Sequence, residues 1–230
     1  MAATDSLRAQ PQREPGSRPP TSAEISAAEA QAAEETGAEL DELIATEIDA
    51  ALGPLAGKLA PLLERQLRWR AREDVTLRSP RRLADDLESW TEERLEALFA
   101  ATAAGTAEIL DEGVLAIERA HRERLEDGLA RLGREADPLI LAVRDVPPHP
   151  LDALEPTRFG SATPGRFLRR VTLPGPLGRR LVRRSATVRL RSALRRRAVR
   201  LRAQLASQVR DAVAGYRREL GARLGEEPSR

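Results

Sequence analysis

The chain has no cysteine, which excludes disulfides, thiolate nucleophiles and cysteine-ligated zinc. Aromatic residues are almost as scarce, at 3% of 230: Phe99, Phe159, Phe167, Trp69, Trp90 and Tyr216. Aromatics dominate compact cores and small-ligand pockets, so this composition argues against a deep binding pocket. Long apolar runs are also missing. Leu139-Ile140-Leu141-Ala142-Val143 falls far short of the roughly 20 residues that span a bilayer. The first 20 residues lack the apolar centre of a signal peptide. These absences predict a cytoplasmic protein, with contact to the inner face of the cell membrane limited to peripheral attachment. Lys58 is the only lysine, so nearly all positive charge is arginine. Codon bias in a GC-rich genome accounts for that, although arginine also binds carboxylates and phosphates bidentately.

What is present is Ala, Leu, Ile and Val at helical spacing, which predicts an all-α protein, an elongated bundle of long antiparallel helices. The Pro-, Gly- and Arg-rich residues 1–20 read as a disordered tail. Residues 21–136 read as an acidic-to-mixed helical segment. It opens at Thr21-Ser22-Ala23-Glu24, whose Thr-x-x-Glu spacing is that of a capping box. Gly53-Pro54 predicts an end or bend in the first helix, and Pro61 an interruption in the next. That second stretch offers Leu59, Leu62, Leu63, Leu67 and Trp69 for packing.

Ser79-Pro80 predicts a third helix start, with proline at the first helical position. Its expected inner face runs Leu83, Leu87, Trp90, Arg94, Leu98, Thr102, Ile109 and Leu110 and continues through His121 to Leu132. Gly105 and Gly113 are the expected bending points. Residues 137–178 carry eight prolines and scattered apolar residues, which predicts a connector that packs onto the bundle. Residues 179–225 read as an arginine-rich helix packed back on it, with Leu194, Ala198, Leu201, Leu205 and Val209 stepping by four and three. Residues 226–230 read as a second tail.

Charge is segregated along this map. From Thr21 to Gly57 there are nine acids and no base, whereas from Arg158 to Arg218 the only acid is Asp211. The formal net charge of +2 conceals two opposite fields. Candidate contacts on the acidic side are Glu35, Glu39, Glu42 and Asp49. On the basic side they are Arg166, Arg169, Arg170, Arg179, Arg180, Arg183 and Arg184. Mutual neutralisation, which would lay the two helices together, is the first of three uses for the basic field. Binding to anionic lipid comes second, with each nearby arginine contributing about 1 kcal/mol. Nonspecific, salt-dependent nucleic-acid binding comes third, since no helix-turn-helix, zinc finger or stacking aromatic pattern accompanies it.

Chemistry finds little material. Gly53-Pro54-Leu55-Ala56-Gly57-Lys58-Leu59 resembles a phosphate loop only loosely. It has three residues between its glycines and Leu59 where a Mg²⁺-binding hydroxyl is needed. His121 sits between Ile117 and Leu125 and reads as a satisfied core residue, and His149 has no partner in sequence. Asp85-Asp86 and Glu92-Glu93 read as solvated faces. No catalytic, cofactor or metal site and no small-molecule substrate is expected.

Asp137-Pro138-Leu139, Leu173-Pro174-Gly175-Pro176-Leu177-Gly178-Arg179-Arg180-Leu181, Val199-Arg200-Leu201-Arg202 and Tyr216-Arg217-Arg218-Glu219-Leu220 together resemble the distal helical region of bacterial dynamin-like proteins. In that family a Leu-Pro turn introduces a last arginine-rich helix that packs along the stalk. Residues from about 36 to 132 resemble the preceding stalk helices in pattern only. The chain departs from the family at its front, lacking the GTPase phosphate loop and switch motifs. The resemblance therefore implies only a stalk, one that self-associates or partners a dynamin-like GTPase at a membrane.

Overall fold

The computed structural model describes residues 18–73, 79–149, 151 and 175–225, and every regular element among them is helical. Helices α1 (Ser22–Leu43), α2 (Asp49–Pro54) and α3 (Ala60–Glu73) follow one another without a break. They are joined by π-helical turns at Ile44–Ile48 and Leu55–Leu59. We call this continuous piece the first rod. Helix α4 (Pro80–Ala130) and helix α6 (Gly175–Gly225) have 51 residues each, about 75 Å at 1.5 Å per residue. A short 3-10 turn, Arg134–Ala136, and helix α5 (Asp137–Arg144) lie between them.

The start of the rod matches its capping box. The Thr21 hydroxyl accepts the Glu24 N–H at 3.3 Å, and the Glu24 carboxylate accepts the Thr21 N–H at 2.7 Å. Of the two expected outcomes at Gly53-Pro54, an end does not occur, and the reason lies in the spacing of the buried side chains. Ala32, Thr36, Leu40, Ile44, Ile48 and Leu52 step by four. An α-helix turns about 400° in four residues, so each step drifts roughly 40° off the core. A π turn takes up one extra residue and brings the stripe back. The second π turn sits between Pro54 and Pro61, where the chain must already forgo backbone N–H donors. Leu55, Leu67 and Ala71 are then buried. Trp69 and Leu62 are not, at 62% and 51% exposed.

Ser79 caps α4, its hydroxyl accepting the Arg82 N–H at 3.4 Å, with Pro80 at the first helical position. The helix runs uninterrupted through Gly105 and Gly113. Gly113 marks a close approach instead, because a Cβ there would lie 2.6 Å from a methyl of Leu43. Beyond Trp90 the inner face also differs from expectation by one position. Leu95, Phe99, Ala103, Thr106 and Leu110 are buried, while Arg94 is exposed and Ile109 is 50% exposed. A step from Trp90 to Arg94 would have put a guanidinium inside, and advancing to Leu95 and Phe99 buries apolar volume in its place.

Pairwise landmarks fix the directions. Gly128 faces Ala28, Gly113 faces Leu43, and Arg70 pairs with Asp86, so α4 runs antiparallel to the rod. Arg210, Arg202 and Arg191 meet Asp41, Asp49 and Glu64, so α6 is antiparallel to the rod as well. Helices α4 and α6 are therefore parallel, as the pairs Glu92–Arg197 and Arg122–Tyr216 also require. The expectation of antiparallel neighbours throughout does not hold for this pair. The proline-rich segment begins as helix α5, with Pro138 in its first turn and Val143 buried. Val146 is also buried against α4 and α6, and residues 152–174 lie outside the described residues.

The revised register of α4 separates two substitutions that the sequence reading would treat alike. Phe99→Ala should cost about 3–5 kcal/mol as a core truncation. Ile109→Ala should change stability by less than about 0.5 kcal/mol. Urea unfolding followed by circular dichroism measures both.

Candidate functional site

The acidic and basic residues separate into three groups once placed. Asp49 and Arg202 form a bidentate pair, with Arg202 Nε to Asp49 Oδ1 at 2.6 Å and Nη2 to Oδ2 at 3.2 Å. The guanidinium holds the Asp49 carboxyl below its ordinary range. Asp41 accepts from Arg210 at 3.2 Å. Glu64 accepts from Arg191 through both oxygens and from Arg68 at 3.1 Å, and the Arg191 bond holds it below the usual carboxylate range. The acidic and basic helices therefore do lie together, along a seam of arginine–carboxylate pairs. The pairs at Asp41 and Asp49 are exposed, and pairs of that kind contribute little to stability, typically under about 1 kcal/mol, whereas Glu64 is buried. What they determine is which helices meet and in what register.

Glu35 and Glu39 belong to a second group, because both pair with Arg124 of α4 and not with α6. Arg124 was not singled out in the sequence, although it follows His121 by three positions and so shares its side of the helix. It also donates to the Thr36 hydroxyl at 3.2 Å. Thr36 in turn lies 2.8 Å from His121 Nδ1 and donates to the Ala32 carbonyl at 2.7 Å. His121 is buried, as its place between Ile117 and Leu125 predicted. Burial holds its pKa below the ordinary histidine value, and the charges of Arg217 and Arg124 add to that. Glu42 is exposed and belongs to neither group.

A buried cluster of polar side chains has no counterpart in the sequence reading. Glu118 is fully buried, with one carboxylate oxygen accepting the His149 backbone N–H at 3.0 Å and the other, Oε1, without a hydrogen bond. Burial raises its pKa, more than the His149 bond and the charge of Arg122 lower it. Arg122 donates to the Tyr216 hydroxyl at 2.9 Å and to the Val146 carbonyl at 2.6 Å. Asp111 accepts the Leu151 N–H at 3.0 Å. Together these bonds tie the segment after α5 along the side of α4. The segment and its carboxylates lie 31 and 40 positions apart, so spacing could not reveal them.

The third group is the basic face of α6. Arg180 and Arg184 are exposed, and Arg179 and Arg183 are half-buried, all within its first three turns. Arg166, Arg169 and Arg170 lie outside the described residues. From Gly175 to Arg202 the helix carries 11 arginines and no acid. Leu177, Leu181, Val188 and Val199 stand exposed among them. The groove between α4 and α6 holds a cavity of 280 Å³ lined by Leu87, Thr91, Ala186, Val188 and Ala193, at the lower edge of the sizes that enclose small ligands. Among the described residues no helix is long and apolar enough to cross a membrane, and no cluster of His, Asp or Glu could hold a metal ion.

The described residues thus make an all-helical protein whose distinctive surface is charge laid along rods. Comparison with protein-family models, curated proteins and solved structures gives no match.

The buried polar groups predict opposite pH dependences. His121 has a lowered folded pKa, so the unfolded chain takes up its proton first and stability falls as pH drops below about 6.5. His121→Gln should remove that part of the acid sensitivity in urea midpoints measured from pH 7 to 5. Glu118 has a raised folded pKa, so it withdraws stability as pH rises from about 4.5 through its folded value. Glu118→Gln keeps an acceptor for His149 and should flatten that decline, leaving the variant at least as stable as wild type at pH 8.

Proposed function

We infer that the protein is a non-catalytic helical assembly module. In this reading it is a stalk-like, elongated bundle with a proline-rich connector between α5 and α6. It attaches peripherally to anionic membrane on the inner face of the cell membrane and works alongside a dynamin-like GTPase. The observation that carries the membrane part is the first half of α6. It holds 11 arginines and no acid; Arg191 and Arg202 join the seam with the rod, Arg197 pairs with Glu92 of α4, and Arg180, Arg184, Arg195 and Arg200 are exposed. Exposed Leu177, Leu181, Val188 and Val199 lie between arginines such as Arg180, Arg184, Arg195 and Arg200. Arginine stems with aliphatic neighbours suit the boundary between headgroups and acyl chains, where each basic side chain contributes about 1 kcal/mol. The GTPase partner rests on the motif resemblance at the Leu-Pro turn and in the Tyr-Arg-Arg-Glu-Leu segment.

Flotation with vesicles tests the membrane part. The protein should float with vesicles containing about 30% phosphatidylserine and stay behind with neutral phosphatidylcholine, losing the interaction near 0.5 M salt. Arg180→Glu with Arg184→Glu should weaken flotation at least about tenfold, two reversed charges being worth a few kcal/mol. Equal, negligible recovery with both vesicle types would remove this part of the function. A salt-sensitive shift of DNA or RNA in the absence of vesicle binding would favour a nonspecific nucleic-acid binder instead.

A further inference from the structure

The first rod has an outward side that the bundle does not use. Away from the buried stripe, an exposed line runs Glu34, Ala38, Glu42 and Ala45, passes Gly53 and Pro54, and continues as Lys58, Leu62, Arg65, Trp69 and Arg72. Its first half is acidic with alanines between the carboxylates. Its second half is basic with Leu62 and Trp69 between the cations. The seam with α6 employs Asp41 and Asp49 and does not involve Glu34 or Glu42.

We propose that this face binds the same face of a second copy of the chain, antiparallel, about a two-fold axis at Gly53-Pro54. The acidic and basic halves are equally far from that point. Turning one copy end over end sets Trp69 opposite Ala38, Leu62 opposite Ala45, Arg65 opposite Glu42 and Arg72 beside Glu34. Each large apolar side chain thus meets a small one, each cation meets a carboxylate, and the pattern occurs twice because an isologous contact uses both halves on both chains. Gly53 has no atom within 4 Å of where a Cβ would stand, so no packing inside the monomer requires a glycine there. A glycine within a helix costs about 1 kcal/mol relative to alanine, and close approach of a second backbone gives that cost a use. Trp69 is the kind of residue that anchors interfaces, and 62% exposure leaves most of it to be covered.

The wider charge distribution favours the same orientation. Around the acidic half, residues 22–49, 106–130 and 203–225 hold 18 acidic and 7 basic side chains. Around the other half, residues 50–72, 80–105 and 175–202 hold 19 basic and 7 acidic ones. A parallel pair would stack like fields, whereas the antiparallel pair opposes them along the whole length.

This inference rests on the assembly part of the proposed function and names the partner. Sedimentation velocity should give about twice the 25.2 kDa chain mass at low salt and dissociation toward monomer near 1 M salt. Glu34→Arg with Glu42→Arg should weaken the dimer about tenfold or more, and so should Arg65→Glu with Arg72→Glu. An equimolar mixture of the two reversed proteins should recover dimer, because each then offers the other complementary halves. Circular dichroism of each variant, with all four sites exposed, shows whether the fold is intact. A wild-type chain that stays monomeric at about 100 µM in low salt overturns the proposal. So does a dimer indifferent to the reversals, or a mixture that fails to recover it. Vesicle flotation run in parallel keeps the two surfaces apart. A monomer that still floats leaves the membrane reading standing, and a dimer that ignores anionic vesicles removes that reading and leaves this one.

Discussion

An apolar step of four residues does not fit an α-helix of 3.6 residues per turn, and most of this structure follows from how the chain resolves that mismatch. In the first rod the step recurs from Ala32 to Leu52, and π turns at Ile44–Ile48 and Leu55–Leu59 re-phase it. In α6 it recurs from Gly178 through Val182, Ala186, Leu190 and Leu194 with no π turn. There the buried stripe winds around the helix, so its contacts move progressively around its circumference. That winding decides which arginines face the rod and which face solvent. Arg191, Arg202 and Arg210 come around to the first rod in turn, while Arg180 and Arg184 are exposed.

The parts legible from sequence were those governed by local rules. The capping box at Thr21, the Ser79-Pro80 start and the burial of His121 depend on residues within one or two turns. The juxtaposition of acidic and basic helices was legible too, because field segregation is a property of composition along the chain. Two kinds of feature were not legible. Helix continuity through Gly53-Pro54 depends on a π turn, which is worthwhile only because Ile48, Leu52 and Leu55 have a core to reach. The burial of Phe99 in place of Leu98 depends on α4 being flanked by two partners, which widens and turns its inner face. Of the nominated site residues, Glu35 and Glu39 went to Arg124 because α4 approaches the rod closely where Gly113 and Gly128 remove side-chain bulk.

The two ends of the bundle solve different problems. At the acidic end, α5 and the segment after it close over Leu125, Leu129, Tyr216 and Leu220, held by Glu118, Arg122 and Asp111. Since α4 and α6 are parallel, the chain leaving α4 must travel back along the bundle before α6 can begin. His149 and Leu151 are tied to Glu118 and Asp111 in turn, so this stretch runs back along the side of α4. The cost is a buried carboxylate with one oxygen lacking a partner. Such a group stabilises the fold best when protonated, and it competes directly with His121, which stabilises it best when neutral. Bundle stability therefore reflects two titrations of opposite sign only a turn apart on one helix.

Internal pairing does not exhaust the charge of either field, and the geometry explains why. A seam between two helices engages only side chains that flank the contact, so acids and arginines on the outward faces stay outside it whatever their number. On the first half of α6, up to Arg202, those outward residues are arginines with aliphatic neighbours and no acid, which suits a surface that is negative over a wide area. On the first rod the outward residues include both signs in separate halves, so the face complements another copy of itself turned end over end. In the proposed function one helix faces a continuous anionic plane, and in the proposed dimer the other faces a discrete partner of its own length. Because they occupy different sides of the bundle, engaging one does not consume the other. A layer of such rods, each held to a neighbour through the first rod, would keep every α6 available for the plane beneath.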